Sequence, residues 1–283
     1  MVRYGFDGID LDWEYPGAPD RGGNEEEDIQ NFVELLKTLR ATFSSSARSN
    51  YGLTFTAPTS YWYLRWFDIP QALKYADWVN LMSYDLHGIW DAHNPIGSIV
   101  QAHTNLTEIK LAVDLLWRNN VPPGQVVIGM GFYGRSFQLE SSKCSSPGCA
   151  FSGPANAGPC TNSAGTLAYF EIMDIIADQK PDVVHDKDAA ANYIVFGDNK
   201  DQWVSYDDEV TFKQKVDWAN SVGLGGVMIW SVDQDDEQFS ALEGLLGESI
   251  PSFEANLKRK ATADTDHWSS VNGQGCKVSD CLT

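Results

Sequence analysis

Four carboxylates fall within eight residues near the start of the chain: Asp7, Asp10, Asp12 and Glu14, in the stretch YGFDGIDLDWEYPG at 4–17. Ile9, Leu11 and Trp13 are interleaved with them. Such alternation is the mark of a β-strand, in which residues two apart share a face. Asp10, Asp12 and Glu14 then point one way, and Ile9, Leu11 and Trp13 the other. Cα atoms two apart along a strand are separated by about 6.6 Å, so three carboxylates in file cannot all ionise without cost. A carboxyl group that keeps its proton is what general acid catalysis requires. Three other uses of the cluster compete with this one. A calcium loop also spaces its ligands at alternate positions, but counted from Asp10 its sixth position, normally Gly, is Tyr15. A magnesium site for phosphoryl transfer needs a Gly-rich phosphate loop or a basic cluster, and the sequence offers neither. A solvated edge strand would not set Ile, Leu and Trp opposite its charges. Catalytic carboxylates fit best, with Glu14 at the end of the strand and no metal implied.

The elements that must hold this file can be read from periodicity. Period-2 or continuous apolar runs predict strands at 5–13, 52–57, 77–84, 125–133 and 225–232. Helical spacing marks 28–43 (Ile29, Phe32, Val33, Leu36, Phe43), 107–118 (Ile109, Ala112, Val113, Leu116) and 209–222 (Phe212, Val216, Ala219, Val222). Gly223 stands where a helix C-cap belongs. Strands alternating with helices imply parallel β/α units, whose chemistry sits at the C-terminal ends of the strands. Glu14 falls at such an end.

One segment breaks the rhythm. Residues 135–208 contain three cysteines, a Gly/Pro/Ser-rich run at 144–165, a helix pattern at 166–179 and strand-like pieces at 192–196 and 202–206. They read as a small α+β insertion domain between 1–134 and the last barrel helix and strand at 209–250; residues 251–283 read as a polar linker or tail. Without the insertion and the tail, about 176 residues remain. Five units of an eight-unit (β/α)8 barrel need about 155 residues. The expectation is an α/β, TIM-barrel-type fold lacking its first three β/α units.

Composition narrows the partners. Of 283 residues 43% are hydrophobic, enough for a sizeable core, and the formal net charge is −19, from 39 acidic against 20 basic residues. Binding a polyanion needs clustered Lys and Arg, so neither nucleic acid nor an anionic membrane is expected as a partner. No apolar run approaches the roughly 20 residues of a membrane span, and no signal-peptide pattern opens the chain. Cys144, Cys149, Cys160, Cys276 and Cys281 have no zinc-like spacing; loop disulfides or free thiols are both open, and the odd count leaves one thiol over.

FDGIDLDWE at 6–14 resembles the signature Asp-Gly-x-Asp-x-Asp-x-Glu of glycoside hydrolase family 18, the chitinases and their relatives. LMSYD at 81–85, GFYGR at 131–135 and GGVMIWSVDQDD at 225–236 are similar, in order and spacing, to that family's sixth, seventh and eighth strands. The resemblance covers roughly 1–247 and, through HGIWD and the Cys-rich insertion, is greatest to fungal members. The family's first three strands and secretory leader have no counterpart here, so it implies an N-terminally truncated member. It also implies an extracellular enzyme without cofactor, acting on chitin or chitooligosaccharides. Glu14 would be the acid–base group, Asp12 would hold the substrate's acetamido group, and Asp10 would tune Asp12. Tyr15, Met82, Tyr84, Asp85, Trp90, Tyr133, Arg135 and Trp230 would contact sugar. Bland readings stay open for several: a core Met82, a salt bridge from Arg135, packing for Trp62 and Trp66. His87 and His93 read as loop-stabilising rather than metal-binding. Asn105, in NLT, suits either glycosylation or a helix N-cap. A chitin-binding, lectin-like protein without turnover is the alternative of a different class.

Overall fold

The computed structural model describes residues 2–46 and 50–247. Cys276, Cys281 and the tail at 251–283 lie outside the described residues. The first half of the chain runs β1 (Gly8–Leu11), α1 (Asp28–Ser44), β2 (Gly52–Pro58), α2 (Tyr61–Leu64), α3 (Ile69–Ala72), β3 (Trp78–Met82), α4 (Leu106–Arg118) and β4 (Val126–Gly131). After it come β5 (Tyr133–Leu139), β6 (Phe151–Pro154), β7 (Thr166–Ala168), α5 (Tyr169–Gln179), β8 (Val184–Asp186), β9 (Ala191–Phe196) and β10 (Gln202–Tyr206). Helix α6 (Glu209–Val222), strand β11 (Gly226–Trp230) and α7 (Ser240–Leu246) close the described chain.

The strands β1, β2, β3, β4 and β11 form one parallel sheet in that order. Its outward residues alternate with inward ones, as the sequence pattern requires. Leu53, Phe55, Val79 and Leu81 meet Phe32 and Leu36 of α1 and Ile109, Val113 and Leu116 of α4 in the larger core, with Ile9 and Leu11 packed against it. Ile128 and Met130 of β4 meet Phe212 and Ala219 of α6 and Leu245 of α7 in a second core. The opposite parity carries Asp10, Thr54, Thr56, Asn80, Met82, Met228 and Trp230, which are therefore gathered on the concave face. The register places Asp10 beside Thr54, Thr56 beside Asn80, and Trp230 beside Gly131.

Helix ends follow their sequence signals. The Asn105 side chain accepts the Thr107 N–H at 2.9 Å, capping α4. Asp208 accepts from the N–H groups of Val210 and Thr211 at the start of α6, and Gly223 ends that helix with φ +76°.

Strand β1 is shorter than the alternation predicts. Pairing with β2 stops at Leu11, and Asp12 to Glu14 continue beyond the ladder as exposed residues. Among the described residues β1 pairs only with β2 and β11 only with β4. A strand with one neighbour loses its ladder sooner than one held on both sides.

A second, antiparallel sheet takes the order β6, β5, β10, β9, β8, with β7 also pairing to β5. Ile172 of α5 packs with Leu167, Ile194 and Val204 on one side of it, and Phe137, Phe151 and Trp203 pack on the other. Cys144 and Cys149 form a disulfide, and Cys160 is a free, exposed thiol. Fully buried Lys215 of α6 ties this sheet to the helical layer. Its ammonium bonds Asp207, the Ala190 carbonyl at 2.6 Å and Thr104 Oγ1 at 3.4 Å. Burial pushes that ammonium down, and Asp207 works against the shift.

Candidate active site

The inward residues meet at the C-terminal ends of the parallel strands, where a groove of about 1370 Å³ opens. Asp10, Asp12 and Glu14 line it as a file. Asp10 Oδ1 accepts from Thr54 Oγ1 at 2.5 Å and from Asn80 Nδ2 at 2.9 Å. Asp12 Oδ1 accepts from Thr56 Oγ1 at 2.6 Å. The parallel register explains both contacts: Asp10 and Thr54 are Cα partners, and two further residues on each strand bring Asp12 to Thr56. Charge-assisted hydrogen bonds of this kind orient a carboxylate and leave its second oxygen available. Glu14, beyond the ladder, is exposed to the groove. Its neighbour Tyr15 also lines the groove and stacks on Tyr63 with ring centroids 4.4 Å apart. Burial first, then the Glu14 charge and a hydrogen bond to Glu14, push the Tyr15 phenol well above its ordinary range.

Across the file stand Met82, Tyr84 and Asp85, from β3 and the turn after it. Tyr84 fits only because residue 129 is Gly: a Cβ there would overlap the Tyr84 ring and the Leu81 carbonyl. Asp85, with φ +58°, presents its carboxylate to three partners. Arg135 clamps it with Nε to Oδ1 at 2.7 Å and Nη2 to Oδ2 at 2.6 Å, and the Tyr133 hydroxyl donates to Oδ1 at 2.7 Å. Burial pushes the Asp85 carboxyl up, but His103 and the Arg135 fork outweigh it and hold the group well below the usual carboxylate range. Tyr133 and Arg135 thus stand behind Asp85 and act on the groove through it.

Aromatic faces complete the groove. Trp230 is 53% exposed at the end of β11, beside half-buried Met228. Trp90 lies under the Arg135 guanidinium, 5.0 Å from its centroid. Trp62 lines the groove and is 54% exposed, whereas Trp66 packs under Gly17 and does not reach it. Arg65 sits over both indoles, at 4.1 and 4.6 Å. His87 is buried between Asp91 and Glu108, and no group of three or more metal-ligating side chains occurs among the described residues.

Of the site residues expected from the sequence, the acidic file, Tyr15, Met82, Tyr84, Asp85, Trp90 and Trp230 line the groove, whereas Tyr133 and Arg135 stand behind Asp85. Sequence reading passed over Thr54, Thr56, His103 and the Asp20–Tyr63 pair, whose hydroxyl-to-carboxylate contact is 2.7 Å. His103 Nδ1 lies 3.3 Å from the Asp85 backbone nitrogen and 3.7 Å from Asp85 Oδ1, and its Nε2 lies 3.0 Å from the Tyr133 carbonyl.

Comparison with known proteins places the chain in a family. The family model "Glycosyl hydrolases family 18" matches residues 1–235. Secreted chitinase LysM12 of Penicillium expansum is 32% identical over 294 aligned positions, covering 96% of this chain and 19% of the relative. The endochitinase of Manduca sexta is 33% identical over 89% of this chain and 46% of its own length. The chain therefore spans about a fifth and under a half, respectively, of these two relatives. Among solved structures, the Ostrinia furnacalis Group II chitinase catalytic domain 2 superposes with a TM-score of 0.76 at 27% identity, covering 88% of this chain and 69% of that one. Human YKL-39, described as a pseudo-chitinase with retained chitooligosaccharide binding, superposes at 0.74 with 28% identity over 92% of this chain and 70% of that one. A family model that spans most of the sequence, on a TIM-barrel-type fold shared with solved chitinases, assigns the chain: it belongs to glycosyl hydrolase family 18.

Proposed function

We propose that this chain carries the catalytic centre of a retaining, substrate-assisted chitinase that cleaves β-1,4 bonds between N-acetylglucosamine units of extracellular chitin. The observation that carries the reading is the file of Asp10 and Asp12, each fixed by strand hydroxyls, leading to an exposed Glu14 in an aromatic-walled groove. In this family the substrate's own 2-acetamido carbonyl attacks the anomeric carbon. Glu14 protonates the leaving glycosidic oxygen and later takes a proton from the incoming water. Asp12, steered by Thr56, holds the acetamido N–H and offsets the positive charge of the oxazolinium intermediate. Asp10, already satisfied by Thr54 and Asn80, serves Asp12 rather than the sugar. Tyr84 and Asp85 receive the acetamido and hydroxyl groups, with Asp85 held ionised by Arg135 and Tyr133. Trp230 floors the cleavage subsite, because a flat indole matches the apolar face of a pyranose. Residues 1–134 together with α6 and β11 supply the barrel-type portion of this centre, and 135–208 an inserted α+β unit.

Binding without turnover is the second reading, favoured by the likeness to a pseudo-chitinase. The presence of Glu14 supports hydrolysis instead. Incubation with N-acetylglucosamine hexamer, followed by separation of products and their anomers, distinguishes the two. Shorter oligomers with retained β configuration support the hydrolase. An unchanged hexamer that is nevertheless bound supports the lectin-like protein.

A further inference from the structure

His87 is buried, yet both of its ring nitrogens face carboxylates. Nδ1 lies 2.8 Å from Asp91 Oδ2 and Nε2 lies 2.9 Å from Glu108 Oε2. Asp91 belongs to the same loop, in the short 3-10 turn Ile89–His93, and Glu108 to the first turn of α4. Trp90 stands between His87 and Asp91 in sequence, so the two ends of the clamp bracket it. Asp91 fixes the loop further: its N–H donates to the Gly88 carbonyl at 3.0 Å, and its own carbonyl accepts the Asn94 N–H at 2.9 Å. Gly88 leaves room for the indole, since a Cβ there would overlap the Trp90 ring. The far face of that ring is bounded by Arg135.

We propose that His87 is a positioning residue for substrate binding: its two-sided clamp between Asp91 and Glu108 sets the Trp90 indole against the groove, and only the imidazolium closes it. The proposal rests on the reading of the groove as a site for N-acetylglucosamine chains. The reason is donor count. An imidazolium donates from both nitrogens, whereas a neutral ring has one N–H and turns a lone pair toward the other carboxylate. Loss of the proton therefore opens either the turn at Asp91 or the tie to α4, and Trp90 is freed with it. The charged groups facing His87 are Asp91 from its own loop and Glu108 from α4. Burial disfavours the imidazolium, but these two carboxylates outweigh it and push His87 up to about 9.

The test uses the whole chain, with Glu14→Gln to stop turnover. Two readings are taken from about pH 7 to about pH 10.5. One is the Trp90 indole N–H resonance, assigned by its loss in Trp90→Phe, and the other is calorimetric affinity for N-acetylglucosamine tetramer. The resonance and the affinity should break together near pH 9, the affinity weakening about three- to tenfold, as for loss of one aromatic contact. Glu108→Gln removes one supporting charge and should move both breaks to lower pH; His87→Gln should abolish both. A Trp90 resonance that stays flat while His87 titrates overturns the proposal. So does an affinity whose break survives in His87→Gln. Should the tetramer bind at no pH while the indole still titrates with His87, the clamp on Trp90 is supported and the substrate reading fails.

Discussion

Glu14 is the member of the acidic file that no hydroxyl of β2 holds, whereas Thr54 and Thr56 hold Asp10 and Asp12, and proton transfer needs a group that can change partners. Glu14→Gln keeps the shape and removes the acid. It should lower kcat by about 10²–10⁴ while oligosaccharide affinity changes little; residual rates within tenfold of the parent would sink the assignment. A second outcome follows from the nucleophile's being in the substrate. Fully deacetylated chitosan should bind without being cut, and product analysis showing cleavage between two deacetylated sugars would require a protein nucleophile. His87 makes a third prediction, on stability. Its folded-state pKa, about 9, lies above its ordinary value of about 6.5. The clamp's contribution is therefore complete below about pH 6.5 and lost as pH rises through about 9. The melting temperature of the parent should fall across that window, and that of His87→Gln should not. The acidic file was legible in the sequence because carboxylates at period 2 opposite Ile, Leu and Trp suit neither a loop nor a solvated face. Thr54 and Thr56 were not legible, since Thr is common in any strand. Only the register of β1 on β2 shows that their hydroxyls meet Asp10 and Asp12.

At the scale of elements, the pieces with many turns of consistent pattern were readable and the short ones were not. The predicted helices at 28–43, 107–118 and 209–222 fall on α1, α4 and α6 within one residue at each end, because each buries an apolar stripe, and α4 and α6 also carry recognisable caps. The turns α2 and α3 have four residues apiece, too few for a period to show; α3 is held by the Asp68 side chain accepting the Gln71 N–H at 3.2 Å. The turn α2 places Trp62 and Tyr63 at the groove; Trp62 was a candidate in the sequence, evenly weighed against packing, and Tyr63 was not. Between β3 and β4 the decisive feature is an absence of side chain. Gly129 lets the Tyr84 ring lie across β4, and a methyl group there would also press on the Leu81 carbonyl. Both β4 and the Tyr84 ring are buried, so neither yields cheaply. Gly129→Ala should cost about 1–3 kcal/mol, as overpacking does, and should raise KM for N-acetylglucosamine oligomers by displacing Tyr84. Denaturant melts and steady-state kinetics check the two effects separately.

Across the whole molecule, the two ends of the site sit on the two least enclosed strands. β1 leads into the acidic file and β11 ends in Trp230, and among the described residues each is paired on one side only. Burial follows the pairing: β4 is buried throughout and β2 from Leu53 onward, whereas β1 and β11 are half-buried or exposed along their length. A strand edge presents a row of unsatisfied N–H and C=O groups, which are a template for another chain. A barrel removes such edges by closing on itself, and this sheet retains two. Its concave face is wetted as well, with Trp230 at 53% and Trp78 at 41% exposure. Each large apolar side chain left in water forgoes about 1.5–3 kcal/mol, against a total stability of about 5–15 kcal/mol for a native domain. The 283-residue chain, purified by itself, should therefore self-associate as its concentration rises and hydrolyse chitin weakly. Amides of β1 and β11 should exchange well before those of β2, β3 and β4, because an edge opens without disrupting the core. Light scattering after size exclusion and hydrogen exchange read by mass spectrometry measure the two effects. The opposing result would be a monomer at all concentrations with one sharp thermal transition, protection in β1 equal to that in β3, and vigorous chitin turnover. It would mean that β1 and β11 are held in solution by contacts other than the ladders they make here.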